Sequence, residues 1–236
     1  MNLLYLIVSA ALLVPGISAH GGVWNYSIAG EWQPGFFPYY PAEGQSSIQR
    51  HWENFQPILD VASPYLTCNE PGNYAERYAN ITAGSEIKAY FKAWPHDIGP
   101  IITWMAYCGA ELDGCSSFNG SEGNHWFKID QVGLESGTVL EGEWAQRILL
   151  AGNFTWNVTI PEDLMEGAYL IRHEIIALHV PYEAEFYPEC AHLYVQGGGG
   201  EVPGEEYLTS IPGVYDADGE ILIIANSPNI FADCDN

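Results

Sequence analysis

The chain reads as an all-β protein, an antiparallel sandwich with long loops. Short runs alternate apolar and polar residues, richer apolar runs suit buried central strands, and clusters of Gly, Pro, Asn and Asp separate them. Strands divided in this way pack as two sheets of immunoglobulin- or fibronectin-like kind.

Taken in order, residues 1–19 carry an unbroken apolar stretch from Leu3 to Val14, then Pro15, Gly16 and the small-residue end Ile17-Ser18-Ala19. That is the apolar region and cleavage pattern of a secretory signal, without its usual basic start. Residues 36–41, Phe-Phe-Pro-Tyr-Tyr-Pro, are too rich in proline for a central strand and read as an aromatic loop. One or two helical turns are expected within residues 45–55. Residues 85–91 and 156–160 alternate as strands, whereas 101–107 and 168–178 are the apolar runs of buried ones. The glycines at 197–200 read as a flexible turn within one domain, since another strand is expected at 220–225. There is no internal repeat.

Composition narrows the function. With 7 Lys and Arg against 30 Asp and Glu, the formal charge of −23 argues against nucleic acid or an anionic membrane as partner. It suits a soluble extracellular monomer meeting a neutral substrate. Beyond the signal, no apolar run approaches the length of a membrane span, and the C-terminus is no hydrophobic anchor. Residues 20–236 are expected to form one sandwich domain, with no separate carbohydrate-binding module after it. Sequons begin at Asn25, Asn80, Asn119, Asn153 and Asn157, candidates for glycosylation in the secretory pathway. Five cysteines in an oxidising compartment suggest two bridges and one thiol left over. Cys108 and Cys115 bracket a short loop and can close a local staple, Cys68 and Cys190 would join distant segments, and Cys234 is the odd one. Spacing alone does not fix that pairing.

His20 is the most informative position. Cleavage after Ala19 would give it a free α-amino group, so one residue would offer a metal both its amine and a ring nitrogen. A second histidine, His96, lies in Trp94-Pro95-His96-Asp97-Ile98-Gly99-Pro100, just before a buried strand. Then come Arg172-His173-Glu174-Ile175-Ile176-Ala177-Leu178-His179 and Glu185-Phe186-Tyr187-Pro188-Glu189-Cys190. Together with His20-Gly21 and Phe127-Lys128-Ile129, these segments resemble the fungal lytic polysaccharide monooxygenases of auxiliary activity family nine, once classed as glycoside hydrolases. The resemblance spans nearly all of residues 20–236.

That resemblance implies a histidine brace. The amine and ring of His20 and the ring of His96 would hold one copper, with Tyr187 axial and His179 in the surrounding shell. Amine and imidazole donors suit copper, and groups around a metal tune it nearly as strongly as its ligands do. It also implies the disulfides Cys68–Cys190 and Cys108–Cys115. The reaction implied is oxidative cleavage of a β-1,4-glucan, most of all cellulose, with electrons from an external small reductant or a secreted dehydrogenase.

The chain departs from the family pattern in three places. In the family one residue usually separates the metal histidine from Gly-Pro, but here two, Asp97 and Ile98, intervene. Strict alignment on Gly99 puts Asp97 in the ligand's place; we favour His96, because a loop absorbs one residue. Glu185 replaces the usual Gln two residues before the axial Tyr, and a carboxylate accepts hydrogen bonds where an amide also donates. The segment between His179 and Glu185 is short.

Blander readings apply elsewhere. His173, among apolar neighbours, reads as a hydrogen-bonded structural residue, and His51, His125 and His192 carry no motif. Trp24, Tyr39, Tyr40 and Tyr215 are candidates for stacking on sugar rings, although most aromatics in a sandwich belong to its core. Glu205 and Glu206 are adjacent and so do not form a hydrolase's facing carboxylates. The rival to the enzyme is a copper-binding or glycan-binding surface protein on the same scaffold.

Overall fold

A computed structural model describes residues 20–92, 94–180 and 183–216. The expected signal segment, the strand at 220–225 and Cys234 lie outside the described residues. The fold is a β-sandwich. One sheet has four strands in the order β2-β1-β4-β9 and the other five in the order β3-β11-β10-β5-β6. In the first sheet these are β1 (Gly22–Ile28), β2 (Glu31–Pro34), β4 (Glu86–Lys92) and β9 (Thr155–Thr159). In the second they are β3 (Ala79–Thr82), β5 (Ile101–Gly109), β6 (Trp126–Val132), β10 (Gly167–Val180) and β11 (Glu183–Gln196). A small hairpin of β7 (Leu134–Ser136) and β8 (Glu143–Trp144) leads into a helix, α1 (Ala145–Ala151).

Among these strands, pairing is antiparallel except where β3 runs parallel to β11 at the edge of the larger sheet. The four strands read from sequence are β4, β5, β9 and β10. Residues 45–55 are not helical; they run as an extended loop bridged to the sheet at Gln49–Ala191 and to Pro71 at Trp52. The expected helical turn loses to tertiary hydrogen bonds: Arg50 N–H donates to Cys190 O at 2.8 Å and His192 N–H to Ile48 O at 2.8 Å. Of the glycines at 197–200, Gly198 is tightly packed, for a side chain there would come within 1.8 Å of Leu164 O, whereas Gly200 stands in open space.

Strand β10 is buried on both faces, which explains its unbroken apolar character. Tyr169, Ile171, Ile175 and Ala177 face the other sheet and pack with Tyr26, Ile87 and Trp156. Leu170, Ile176 and Leu178 face outward and pack beneath Leu66, Trp126 and Ile211. Each such apolar side chain removed from water contributes about 1.5–3 kcal/mol. Two disulfides staple this outer layer, Cys68–Cys190 with a Cα separation of 5.2 Å and Cys108–Cys115 with 5.0 Å, the pairs the resemblance implied.

Polar side chains interrupt both layers. In the outer layer Arg172 donates to Thr67 O, Leu66 O and Glu174, and Tyr215 donates to the other oxygen of Glu174. Between the sheets, His173 pairs in register with Glu189 on one side and Thr103 on the other, with the Tyr26 ring 5.8 Å away. Burial lowers the His173 pKa to about 3 and raises the Glu189 carboxyl well above the usual carboxylate range. His173 is thus structural, as expected, but neither ring nitrogen has a hydrogen-bond partner among the described residues. His192, which had no motif, accepts from Arg50 Nε at 3.2 Å. Of the sequons, Asn80, Asn119, Asn153 and Asn157 are exposed, whereas Asn25 is buried in β1, where a glycan has no room.

Candidate metal centre

Three structural features bring distant residues to one end of the sandwich. His20 stands just ahead of β1, where a bulge inserts an extra residue between Val23 and Asn25 against β4. His96 lies in the loop between β4 and β5. Glu185 and Tyr187 sit near the start of β11, where Glu183 pairs with Val180 of β10. The register of that pairing shifts between Ala177 and Val180, a bulge that re-aims His179.

The His96 loop is fixed by contacts the sequence did not reveal. Trp94, 1% exposed, donates from Nε1 to Gln146 Oε1 at 3.0 Å, and Gln146 Nε2 donates to Ile176 O at 2.9 Å. Leu178 N–H donates to Ile98 O at 2.9 Å. Gly99 has φ +136°, and a side chain there would come 2.0 Å from Ile176 O, so the loop lies directly on β10. Helix α1 supplies Gln146 and also Arg147, whose Nε meets Asp97 at 3.0 Å. Asp97 is therefore engaged with Arg147, while His96 turns toward His20.

Ring centroids of His20 and His96 lie 5.7 Å apart, and those of His20 and Tyr187 5.9 Å apart. Donor atoms of His20, His96 and Glu185 all lie within 4.8 Å of one another. His179 stacks on His96 at 3.5 Å, with its Nε2 3.8 Å from Glu185 Oε2. Tyr187, 3% exposed, donates its hydroxyl to Glu185 Oε2 at 2.7 Å and packs edge-on against Trp94. Burial raises the pKa of Tyr187, and its hydrogen bond to Glu185 raises it further. Burial lowers that of His179, and the nearby His20 adds to this, while Glu185 and Asp97 oppose it. Two imidazoles with a phenol and a carboxylate beside them form a donor set that fits a nitrogen-preferring transition metal such as copper.

The stacking candidates divide. Tyr39 and Tyr40 are 63% and 68% exposed, on a loop tied together by Gln45, which donates to Phe37 O, Tyr40 O and Pro41 O. Trp24 is half-buried, with Lys92 Nζ 5.2 Å from its ring centroid. Tyr215 is also half-buried, its hydroxyl on Glu174 and its ring 5.1 Å from Phe186, so it is committed to the outer layer. Glu205 and Glu206 are exposed on a single 3-10 turn.

Comparison with known proteins identifies the family. The family model for Auxiliary Activity family 9 (formerly GH61) matches residues 20–231. The chain is 44% identical over 218 residues to AA9 family lytic polysaccharide monooxygenase B of Heterobasidion irregulare, covering 91% of this chain and 88% of that one. It is 42% identical to AA9 family lytic polysaccharide monooxygenase D of Thermothelomyces thermophilus, with 87% and 81% covered. Among solved structures, HiLPMO9B superposes with a TM-score of 0.81 at 44% identity, over 86% of this chain and 90% of that one. A cellulose-active polysaccharide monooxygenase from M. thermophila gives 0.77 at 38%, over 85% and 88%.

Proposed function

The chain belongs to Auxiliary Activity family 9, and from that premise we propose that it is a secreted, copper-dependent lytic polysaccharide monooxygenase acting on cellulose or a related β-1,4-glucan. The observation that carries this reading is the convergence of His20, His96 and Tyr187 from three separate parts of the chain. Cellulose is favoured because a cellulose-active relative shares the fold at 38% identity. Residues 1–19 are taken as the secretory signal.

In this reading His20 would supply its ring and, once freed by cleavage, its amine, His96 would supply a third nitrogen, and Tyr187 would stand beside them. Bound copper supplies the redox chemistry, drawing electrons from an external reductant. The surrounding residues bind, orient and manage protons. Trp94 and Tyr187 close the protein side of the centre with buried ring surface, so access is from the open face. Glu185 Oε2 accepts the Tyr187 proton and fixes the orientation of that ring. A proton arriving at the centre meets two holders, Glu185 Oε2 and His179 Nε2. The exposed rings of Tyr39 and Tyr40 offer flat faces on which sugar rings stack, positioning the glucan.

Glu185 stands where the family resemblance leads one to expect Gln, and its effect has a sign. A buried carboxylate beside the centre favours the more positively charged, oxidised metal. Glu185→Gln should therefore raise the Cu(II)/Cu(I) potential and increase the yield of oxidised oligosaccharides. Voltammetry of the copper-loaded pair checks this. Equal potentials would mean that the carboxylate does not act on the metal.

A further inference from the structure

Glu189 has no part in the centre just described, yet it is wholly buried and reaches across the sandwich. Its Oε2 accepts from Val23 N–H at 2.5 Å, a bond between residues 166 apart in sequence. Val23 C=O in turn accepts from Gln49 Nε2 at 2.8 Å, and Gln49 Oε1 accepts from Phe36 N–H at 2.7 Å. Gln49 is 0% exposed. Both polar groups of Val23 are thus satisfied by buried side chains rather than by a neighbouring strand.

The sheet explains why. Strand β2 pairs with β1 only from Asn25 onward, and β1 bulges against β4 between Val23 and Asn25. Val23 stays in register with Phe91 of β4, but on its other edge it lies beyond the ladder with β2, where unmet backbone groups would cost free energy if buried. Glu189 and Gln49 take the place of the absent strand. Gly22 is fitted to the same contact, for a side chain there would come 1.9 Å from Glu189 Oε1. Val23 stands three residues after His20, and Glu189 stands two after Tyr187 on the same face of β11.

We propose that Glu189 and Gln49 clamp Val23 and thereby set where His20 stands against Tyr187, as positioning residues for the metal centre. Both act on the backbone of Val23, and neither is among the donors assigned to the metal. Their effect passes through three residues of backbone, which are too few to absorb a displaced strand without moving the His20 ring and amine. The proposal rests on the copper reading above for its functional consequence, but the clamp itself is a property of the metal-free protein.

The test compares Glu189→Gln, which keeps an acceptor oxygen, with Glu189→Leu, which removes it at similar volume. Gln49→Leu approaches the clamp from the other side, should Glu189→Leu fail to fold. Leu193→Ala, on the same strand, controls for loss of stability alone. In metal-free protein, exchange of the Val23 amide should quicken at least tenfold in Glu189→Leu and stay near the wild-type rate in Glu189→Gln. With Cu(II) alone, Glu189→Leu and Gln49→Leu should bind about 10–100-fold more weakly, as outer-shell changes typically do. Their Cu(II) resonance spectra should shift, while Glu189→Gln and Leu193→Ala retain the wild-type spectrum. Unchanged Val23 exchange in Glu189→Leu, or equal weakening by Leu193→Ala, overturns the clamp. Failure of the wild-type protein to bind Cu(II) overturns the copper reading instead.

Discussion

Protein beginning at His20 will bind one Cu(II) tightly, and protein retaining Ala19 ahead of it will bind at least about 100-fold more weakly, a loss of roughly 2.7 kcal/mol. The reason is chemical. With Ala19 in place, the His20 nitrogen is an amide, planar and without a basic lone pair, so the residue offers only its ring. His96 and Tyr187 are untouched by the extension, and so is the sandwich, which makes this a change at one donor atom. Titration calorimetry of the two proteins reads it directly. Equal affinities would show that the terminal amine is not a ligand.

Removing Arg172 alone is expected to destabilise the protein by about 3–5 kcal/mol. Its side chain and that of Glu174 are both fully buried, 2.5 Å apart, and Arg172 also donates to the carbonyls of Leu66 and Thr67. Burial disfavours the charge on Arg172, but the Glu174 carboxylate outweighs it and raises the arginine's pKa. Arg172→Met would leave Glu174 with Tyr215 but no cation, and two carbonyls without this donor, in a water-poor layer. The double variant Arg172→Met/Glu174→Leu should recover much of the loss, because the penalty lies in the stranded charge rather than in the missing pair. Denaturant unfolding of the single and double variants checks this. A double variant as unstable as the single one would mean that the hydrogen bonds to Leu66 and Thr67 dominate.

The elements that could be read from sequence are those in which burial alone set the pattern. Strands β4 and β9 alternate because one face meets the other sheet, and β5 and β10 are apolar runs because they lie in the middle of theirs. Strand β11 is as far inside the sheet as β5, but Glu185, Pro188, Glu189 and His192 break its pattern. Three of those residues are polar because they serve the centre, the clamp and Arg50, so function masked the strand. Helix α1 was overlooked although Ala145-Gln146-Arg147-Ile148-Leu149-Leu150-Ala151 is composed almost wholly of good helix formers. With it went Gln146 and Arg147, which hold the His96 loop.

The candidate centre was legible mainly through resemblance. His20, His96, His179, Glu185 and Tyr187 were named from motifs, and they lie within reach of one another. What motifs left undecided was whether His96 or Asp97 faces the metal, and the Arg147–Asp97 contact bears on that choice through a residue some fifty positions away. Glu189 and Gln49 were invisible because their partner is a backbone group, which leaves no pattern in side chains. Tyr215 was named as a candidate for stacking on sugar rings and is instead held in the Arg172–Glu174 network.

The central claim is that this chain cleaves a β-1,4-glucan by oxidation at a copper held by His20 and His96. Its most direct test is mass spectrometry of the soluble products from cellulose incubated with copper-loaded residues 20–236, a reductant and peroxide. The account predicts oxidised cello-oligosaccharides that disappear when His96 is replaced by Ala. Tight copper binding with no oxidised product from cellulose or other glucans, in the wild type and in Glu185→Gln alike, would contradict it and leave a copper-binding protein on a monooxygenase scaffold.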